Sequence, residues 1–240
     1  MPRIHLIDGE KGGVGKSFFA RVMVHYSIDH KLPYTLVDAD VTNPDVMTLY
    51  NKDAQKTVFS EAQKKAHEAD LIFELALKKP VIVNLPAQVY PLVTDWIEQN
   101  RLLEIAREYG IDLVKWFVCS GGYDSVTLFK ESVNHFKERL PHVFVRNFGL
   151  TDEWAFLDED AEFKDLMNKY QSTIQVMDFP RCSYKERYYL DASQLTFDAA
   201  LKNGKMPILS KQRLQTFLEK SCEAITATGK LSPENQPCKS

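Results

Sequence analysis

The sequence predicts an α/β domain with a doubly wound, mostly parallel β-sheet and helices on both faces. Short apolar runs rich in Val, Ile, Leu and Phe alternate with longer segments of helical periodicity. A length of 240 residues fits one large domain, and six strands alternating with six helices favour an open sheet over a barrel of eight units. We therefore expect a single domain over residues 1–230 and a flexible, polar tail with two prolines over residues 231–240.

Each predicted strand is a short apolar run, and each predicted helix has apolar positions three or four residues apart. In chain order, the strands are expected at Arg3–Asp8, Tyr34–Asp38, Pro80–Leu85, Leu113–Cys119, Val143–Asn147 and Thr173–Met177. The helices are expected at about residues 16–30, 60–78, 88–109, 124–139, 158–170 and 208–227. Pro80 can begin a strand because its missing N–H is tolerated there, and Gly110 suits the end of the helix before it.

Composition and charge are those of an ordinary globular protein, with 44% hydrophobic and 26% charged residues. The net charge of −3 gives no overall attraction to nucleic acid or to anionic membranes. The charge is uneven, because residues 181–240 contain ten Lys or Arg residues and six Asp or Glu residues. The C-terminal quarter is therefore mildly basic.

The four cysteines are widely spaced and form neither a CxxC pair nor a cluster with histidines at zinc spacing. This pattern indicates reduced thiols without a shared role. No apolar run approaches the roughly 20 residues that span a bilayer, and the chain begins directly with a strand-like segment. A cytoplasmic location is expected.

A glycine-rich segment, Gly9-Glu-Lys-Gly-Gly-Val-Gly-Lys-Ser17, lies between the first predicted strand and the first predicted helix. This order of elements is the context of a phosphate-binding loop. Glycines let backbone N–H groups surround phosphate oxygens, and the helix N-terminus adds the positive end of its dipole. Lys16 is expected to neutralise β- and γ-phosphate charge, and Ser17 to ligate Mg²⁺. The residues predicted to bind the nucleotide here are Gly12, Gly13, Val14, Gly15, Lys16, Ser17 and Phe18.

The loop is a variant form, because Glu10 replaces the first glycine of the strict pattern and Lys11 adds a second lysine. It resembles the deviant Walker A signature, K-G-G-x-x-K-S/T, of the ParA/MinD family of ATPases. The resemblance implies a P-loop NTPase fold, ATP/ADP and Mg²⁺ as cofactors, and slow ATP hydrolysis in an ATP-dependent homodimer. It also implies that Lys11 reaches in trans to phosphates on the partner subunit and stabilises the transferring phosphoryl group.

Two strand ends resemble the switch segments of that family. The second strand is followed by Asp38-Ala-Asp40, and side chains two residues apart on a strand point the same way. The resemblance implies that Asp38 holds the outer shell of the metal and that Asp40 positions the attacking water. Asn84 stands where the family has an Asp, and it joins Ser17 and Asp38 as a candidate metal-site residue. Because an amide carries no charge, we expect nucleotide binding to persist but metal affinity and turnover to change.

Two further segments resemble the part of the family site that holds the base. Asn147 resembles a strand-end Asn that reads the adenine edge with its donor and its acceptor. Pro180 and Arg181 resemble a segment of type I-P-R whose backbone closes over the base. We therefore predict that these three residues contact the nucleoside.

The resemblance also implies partners. We expect a homodimer with ATP, a partner protein acting as activator or cargo, and no membrane. The segment Asn84-Leu-Pro-Ala-Gln88 and the lack of a DNA-reading extension resemble accessory ATPases of plasmid partition or conjugative mobilisation. The basic C-terminal residues form a candidate face for nonspecific DNA. They are Arg181, Lys185, Arg187, Lys202, Lys205, Lys211 and Arg213.

Two alternatives remain open at this stage. Asn84 leaves room for a nucleotide-gated binding module that has lost hydrolysis. A metabolic or maturation enzyme of the same fold, such as a synthetase or an iron–sulfur carrier, is the other class. The lack of a paired-cysteine motif argues against the carrier.

Overall fold

A computed structural model describes residues 2–9, 11–50, 54–62, 64–65 and 67–231 of the chain. The strands are β1 (Arg3–Asp8), β2 (Thr35–Asp38), β3 (Ala54–Lys56), β4 (Val81–Asn84), β5 (Asp112–Cys119), β6 (His142–Asn147) and β7 (Ile174–Phe179). Within the described ranges they form one seven-stranded sheet in the order β3-β2-β4-β1-β5-β6-β7. Every neighbouring pair is parallel, which confirms the predicted sheet type.

The helices lie between the strands and after the last one. They are α1 (Lys16–Asp29), α2 (Asp45–Leu49), α3 (Asp70–Ala76), α4 (Tyr90–Gln99), α5 (Leu102–Glu108), α6 (Tyr123–Phe136), α7 (Ala161–Lys169), α8 (Tyr184–Ala192), α9 (Phe197–Lys202) and α10 (Ile208–Ala227). Short 3₁₀ turns cover Lys137–Arg139 and Ala155–Asp158.

All six predicted strands are present, and the differences lie in the short elements. The helix predicted at 88–109 is two helices, because Arg101 adopts φ 49° between them. The helix predicted at 60–78 is limited to Asp70–Ala76. Strand β3 and helices α2, α8 and α9 were not predicted. Each has only three to nine residues, which is too few for a clear periodic pattern.

Alternating side chains of the sheet are buried against helices on opposite faces. In β5, Val114, Trp116 and Val118 belong to a core that includes residues of α1, α9 and α10. Leu113 and Phe117 point the other way, toward cores that include residues of α3 to α7. This alternation confirms a doubly wound arrangement with helices on both faces.

The two ends of the described chain lie close together. Arg3 donates hydrogen bonds to the Lys230 carbonyl oxygen and to the Asp112 carboxylate. Leu231 is buried with the core around α10, and the rest of the predicted tail lies outside the described residues. Among the helices that the structure describes, none has the length and apolar character of a membrane span.

The strand order brings polar residues to one edge of the sheet. Asn84, at the end of β4, is paired in register with Asp38 of β2 on one side and Ile7 of β1 on the other. The carboxyl ends of parallel strands meet at this edge, which is where open α/β sheets bind ligands. The glycine-rich loop begins directly after β1 and therefore lies beside both side chains.

Candidate nucleotide-binding site

Two glycines fix the path of the loop between β1 and α1. A Cβ atom on Gly9 would lie 2.6 Å from the Val118 carbonyl oxygen, so only glycine allows the loop to pass this close to β5. Gly15 is the N-cap of α1 and has φ 101°, a left-handed conformation that glycine adopts without strain. The loop therefore ends with the α1 N-terminus directed at its interior, as anion binding requires.

Lys16, the first residue of α1, folds back over the loop. Its Nζ donates hydrogen bonds to the carbonyl oxygens of Gly9, at 2.6 Å, and Lys11, at 3.0 Å. The side chain is buried, with 7% of its residue surface exposed. The ammonium group is thus held inside the loop, where the sequence predicts phosphate.

A buried ion pair that the sequence analysis missed lies beneath the loop. The Lys115 Nζ of β5 lies 2.9 Å from Asp8 Oδ2 of β1, and neither side chain has more than 1% of its surface exposed. Asp8 Oδ1 accepts the Gly9 N–H at 2.7 Å. Burial acts to raise the pKa of Asp8, but the Lys115 ammonium outweighs it and holds this pKa below its ordinary value. A charged side chain in an apolar strand, as at Lys115, is a signal that could have revealed the pair.

Three polar side chains meet where β2 and β4 end and α1 begins. Asn84 Nδ2 donates to Asp38 Oδ1 at 3.0 Å and to Ser17 Oγ at 3.4 Å. Asp38 Oδ2 accepts the Met47 N–H at 2.8 Å. Burial raises the pKa of Asp38, although hydrogen bonds from Asn84 and Met47 oppose this rise. The structure thus places the three predicted metal-site residues together.

The side-chain oxygen of Asn84, Oδ1, is buried and, among the described residues, has no hydrogen-bond partner. An unpaired oxygen in this position is unfavourable unless a ligand or a bound water satisfies it. Oxygen donors from Ser, Asp and Asn are the type that Mg²⁺ prefers, directly or through its waters. The residues present therefore fit a magnesium ion.

Asp40 and Lys11 lie on different sides of the loop. Asp40 lines the cavity next to the loop, and its Oδ1 accepts the N–H groups of Thr42 and Asn43. Lys11 is half exposed and forms an ion pair with Asp124 in the first turn of α6. Its amino group is thus engaged with α6, and Lys11 is not among the residues that line the cavity.

Asn147 contacts the loop itself. Its Nδ2 donates to the Val14 carbonyl oxygen at 2.8 Å, and its Oδ1 accepts the Gly149 N–H at 2.9 Å. The residue is 4% exposed. The amide that was predicted to read adenine is thus engaged with backbone groups at both ends, and reading a base would require exchanging one of these bonds. The adenine role stays a prediction.

Pro180 and Arg181 follow β7 and lie outside the cavity lining. Arg181 donates to the Phe148 carbonyl oxygen at 3.0 Å and pairs with Asp152 at 3.5 Å. Its side chain is exposed. The predicted contact of these two residues with a base also stays a prediction.

A cavity of about 370 Å³ extends from the loop to α8. Its loop side includes Gly12, Gly13, Gly15, Lys16, Ser17 and Phe18, and its far side includes Arg21, Arg187, Asp191 and Gln194. The far side was not predicted as part of the site because α8 was not predicted. Arg21, the one charged residue in the apolar stretch 18–24 of α1, is the signal that could have indicated it.

The basic C-terminal residues are not all free for a polyanion. Arg213 donates to the buried Glu186 carboxylate at 2.8 Å, Arg181 pairs with Asp152, and Arg187 lines the cavity. Lys185, Lys202 and Lys205 are exposed. A DNA-binding face stays a prediction, now resting mainly on the lysines.

Comparison of the sequence with characterised proteins found similar chains. Protein TraL of Escherichia coli is 24% identical over 246 residues, covering 96% of this chain and all of TraL. Protein MobD of Acidithiobacillus ferrooxidans is 30% identical over 161 residues, covering 64% of this chain and 66% of MobD. No protein-family profile matches the sequence.

Comparison of the fold found solved structures of cell division proteins from Aquifex aeolicus. MinD matches with a TM-score of 0.52 at 11% identity, covering 96% of this chain and 98% of MinD. A chain of the MinC:MinD complex matches with a TM-score of 0.51 at 13% identity and the same coverage. With its glycine-rich loop between β1 and α1, this chain therefore has the ParA/MinD type of P-loop NTPase fold and is a sequence relative of TraL and MobD.

Proposed function

We propose that this chain is a ParA/MinD-type ATPase that binds Mg·ATP, dimerises with it and hydrolyses it slowly. The observation that carries the proposal is the convergence of Lys16, Ser17, Asp38 and Asn84 at the loop, next to a cavity that reaches α8. A nucleoside triphosphate has a polyanionic end for the loop and a polar, planar end for the rest of the cavity.

Lys16 provides the binding charge for the phosphates. In the free protein its ammonium group donates to two neutral carbonyl oxygens, those of Gly9 and Lys11. A phosphate oxygen carries negative charge and therefore adds a Coulomb attraction to the ammonium that a neutral carbonyl oxygen does not supply. A phosphate oxygen that enters the loop therefore replaces a carbonyl as the partner of Lys16, with little movement of the side chain.

Ser17, Asp38 and Asn84 would hold Mg²⁺ and its waters. Held by these three side chains, a magnesium ion would supply Lewis-acid neutralisation of phosphate charge beside the loop. Asn84 orients the site, because its amide N–H groups contact Asp38 and Ser17 while its oxygen remains available. Asp38 supplies the negative charge that Asn84 lacks.

Asp40 and Lys11 complete the hydrolytic site. The Asp40 carboxylate is held by two backbone N–H groups at the cavity wall, a position suited to orienting a water at the γ-phosphate. Lys11 does not line its own cavity and is paired with Asp124, which supports a role on a partner subunit's phosphates. In that arrangement the lysine stabilises transition-state charge in trans, as an arginine finger does.

The process in which this ATPase acts is proposed from its relatives. The names TraL and MobD fit the transfer or mobilisation role that the resemblance in sequence implies, and TraL is similar to this chain over its whole length. We therefore propose a role in plasmid transfer or mobilisation, with a partner protein as activator or cargo. Nonspecific DNA binding through the exposed C-terminal lysines is a further part of this proposal.

A nucleotide-gated binding module without hydrolysis is a second candidate, and Asn84 favours it. An Asp at this position would add a full negative charge beside the metal, whereas an amide adds none. ATP would still bind the loop and drive dimerisation, but the γ-phosphate would remain uncleaved.

Lys16→Ala tests nucleotide binding, with Lys78→Ala as the matched control because Lys78 is an exposed lysine after α3. We expect calorimetry to show ATP binding to the unaltered protein and the control, and none to Lys16→Ala. Unchanged ATP affinity in Lys16→Ala would show that the loop does not bind the phosphates.

Lys11→Ala tests the dimer. This variant should bind ATP but remain monomeric in light scattering, whereas the unaltered protein should dimerise with ATP. ATP-dependent dimers of Lys11→Ala would refute the trans role. Phosphate release by the unaltered protein supports the ATPase, and release equal to the buffer blank with bound ATP selects the binding module.

A further inference from the structure

The far end of the cavity is built by one face of α8 and the residues after it. Arg187, Asp191 and Gln194, which we call the α8 wall, line the cavity opposite the glycine-rich loop. The spacing of four residues places Arg187 and Asp191 on one face of α8, and Gln194, after the end of the helix and with φ 50°, completes the wall. The wall presents a guanidinium, a carboxylate and an amide, so it offers a planar cation, hydrogen-bond acceptors and hydrogen-bond donors.

The ring of Phe18 forms a fixed base for this wall. Phe18 directly follows Ser17, and its ring contacts Phe197 and Phe217, each with centroids 5.7 Å away, and Phe179 at 6.2 Å. It is 6% exposed. Because aromatic side chains of the core surround it, the ring cannot turn without disturbing three neighbours.

Arg187 lies over this ring, with its Cζ 4.8 Å from the ring centroid. A guanidinium is planar and stacks on aromatic faces, so it has a second face that can receive another planar group. The Arg187 side chain is 41% exposed and lines the cavity.

Asp191 connects Arg187 to a second arginine. Its carboxylate lies 2.7 Å from Nη1 of Arg21 and 3.9 Å from Nε of Arg187. Arg21 is 5% exposed and also donates to the Leu195 carbonyl oxygen. Both arginines line the cavity, but Arg21 is nearly buried and held by two partners, whereas Arg187 is the more exposed of the two.

We propose that the α8 wall binds the nucleoside half of the ligand, with the Arg187 guanidinium as the surface on which the base stacks. This inference rests on the proposed function, because the loop must first hold the phosphates. A ligand anchored by phosphates at Ser17 passes over Phe18 before it reaches α8. Asp191 and Gln194 then offer an acceptor and a donor to the sugar hydroxyls or to the base edge.

The competing role for Arg187 is a charge contact with the phosphates. Arg187→Lys separates the two, since lysine keeps the positive charge but loses the planar stacking surface. Inorganic tripolyphosphate separates them as well, because it has the phosphates of ATP and no nucleoside.

The experiment compares ATP and tripolyphosphate binding by calorimetry in Arg187→Ala and Arg187→Lys. Arg146→Ala is the matched control, since Arg146 also lies over a Phe ring, that of Phe148, and pairs with a carboxylate, Asp178, but does not line the cavity. Because stacking of a base on a side chain strengthens binding, we expect both Arg187 variants to bind ATP about tenfold more weakly. Tripolyphosphate affinity should be unchanged in both, and the control should match the unaltered protein.

Three results would overturn the inference. If Arg187→Lys binds ATP as tightly as the unaltered protein, the residue acts through its charge and not through stacking. If the affinity for tripolyphosphate falls as much as the affinity for ATP, Arg187 contacts the phosphates. Unchanged ATP affinity in Arg187→Ala would remove it from the site. Failure of the unaltered protein to bind ATP is a different outcome, since it refutes the proposed function itself.

Discussion

The buried pair of Asp8 and Lys115 should be among the most sensitive positions of the fold. Lys115→Met removes the ammonium that lies 2.9 Å from Asp8 Oδ2 and leaves a buried carboxylate without a counter-charge. At this distance and an effective dielectric constant of about 20, the attraction is about 6 kcal/mol, part of which offsets the desolvation of both ions. Breaking such a pair typically costs about 3–5 kcal/mol, and we expect a loss of this size in the free energy of unfolding.

Urea unfolding of the single and double variants measures this effect. Lys115→Met should be destabilised by about 3–5 kcal/mol, while Asp8→Asn combined with Lys115→Met should recover at least about 2 kcal/mol. The double variant has no unpaired charge, and the amide introduced by Asp8→Asn keeps an acceptor for the Gly9 N–H. A loss below about 1 kcal/mol in Lys115→Met, or a double variant as unstable as the single one, would refute this reasoning.

Two other predictions concern metal and pH. Asn84→Asp places a second carboxylate within hydrogen-bond distance of Asp38. The melting temperature of this variant should therefore fall without Mg²⁺ and recover with it. Equal melting temperatures with and without Mg²⁺ would contradict a metal site here. Burial, assisted by the charge of Lys115, lowers the pKa of His142 to about 3 from an ordinary value of 6.5. Because only the unfolded chain takes up this proton between pH 6.5 and 3, stability should fall as the pH decreases through that range. The slope attributable to this residue is about 1.4 kcal/mol per pH unit. His142→Gln should lower the slope of the free energy of unfolding against pH by that amount, while the control His67→Gln, at an exposed histidine, should not. Equal slopes in the two variants would show that His142 does not hold its neutral form in the fold.

The sequence predicted the sheet well because its strands are apolar runs separated at regular intervals by helical segments. Parallel strands buried on both faces are nearly continuous runs of apolar residues. The glycine-rich loop marks the strand directly before it as the first strand of the fold. Helix α8 was not predicted, since it has nine residues of mixed polarity and only two buried side chains, Glu186 and Leu190. Tertiary contacts with α10 decide its formation, among them the bond from Arg213 to Glu186.

The residues of the candidate site also differ in whether the sequence could predict them. Residues adjacent in the chain, from Gly12 to Phe18, could be assigned from their order alone. Groups that meet through folding could be assigned only where a family motif marked them, as at Asp38 and Asn84. The Asp8 and Lys115 pair is 107 residues apart in sequence and had no motif. The far wall of the cavity depends on an unpredicted helix, so Arg187 was assigned only to a candidate DNA face and Arg21 to no site.

The bond from Asn147 to the Val14 carbonyl oxygen has a consequence for binding kinetics. It ties the glycine-rich loop to the end of β6 before any ligand arrives, although glycines would otherwise give the loop many conformations. The conformational entropy of the loop is therefore lost on folding and not on association. In the proposed complex, nucleotide capture would need no slow ordering of this loop, so its rate would be set by diffusional encounter and its selectivity by how long the ligand remains bound.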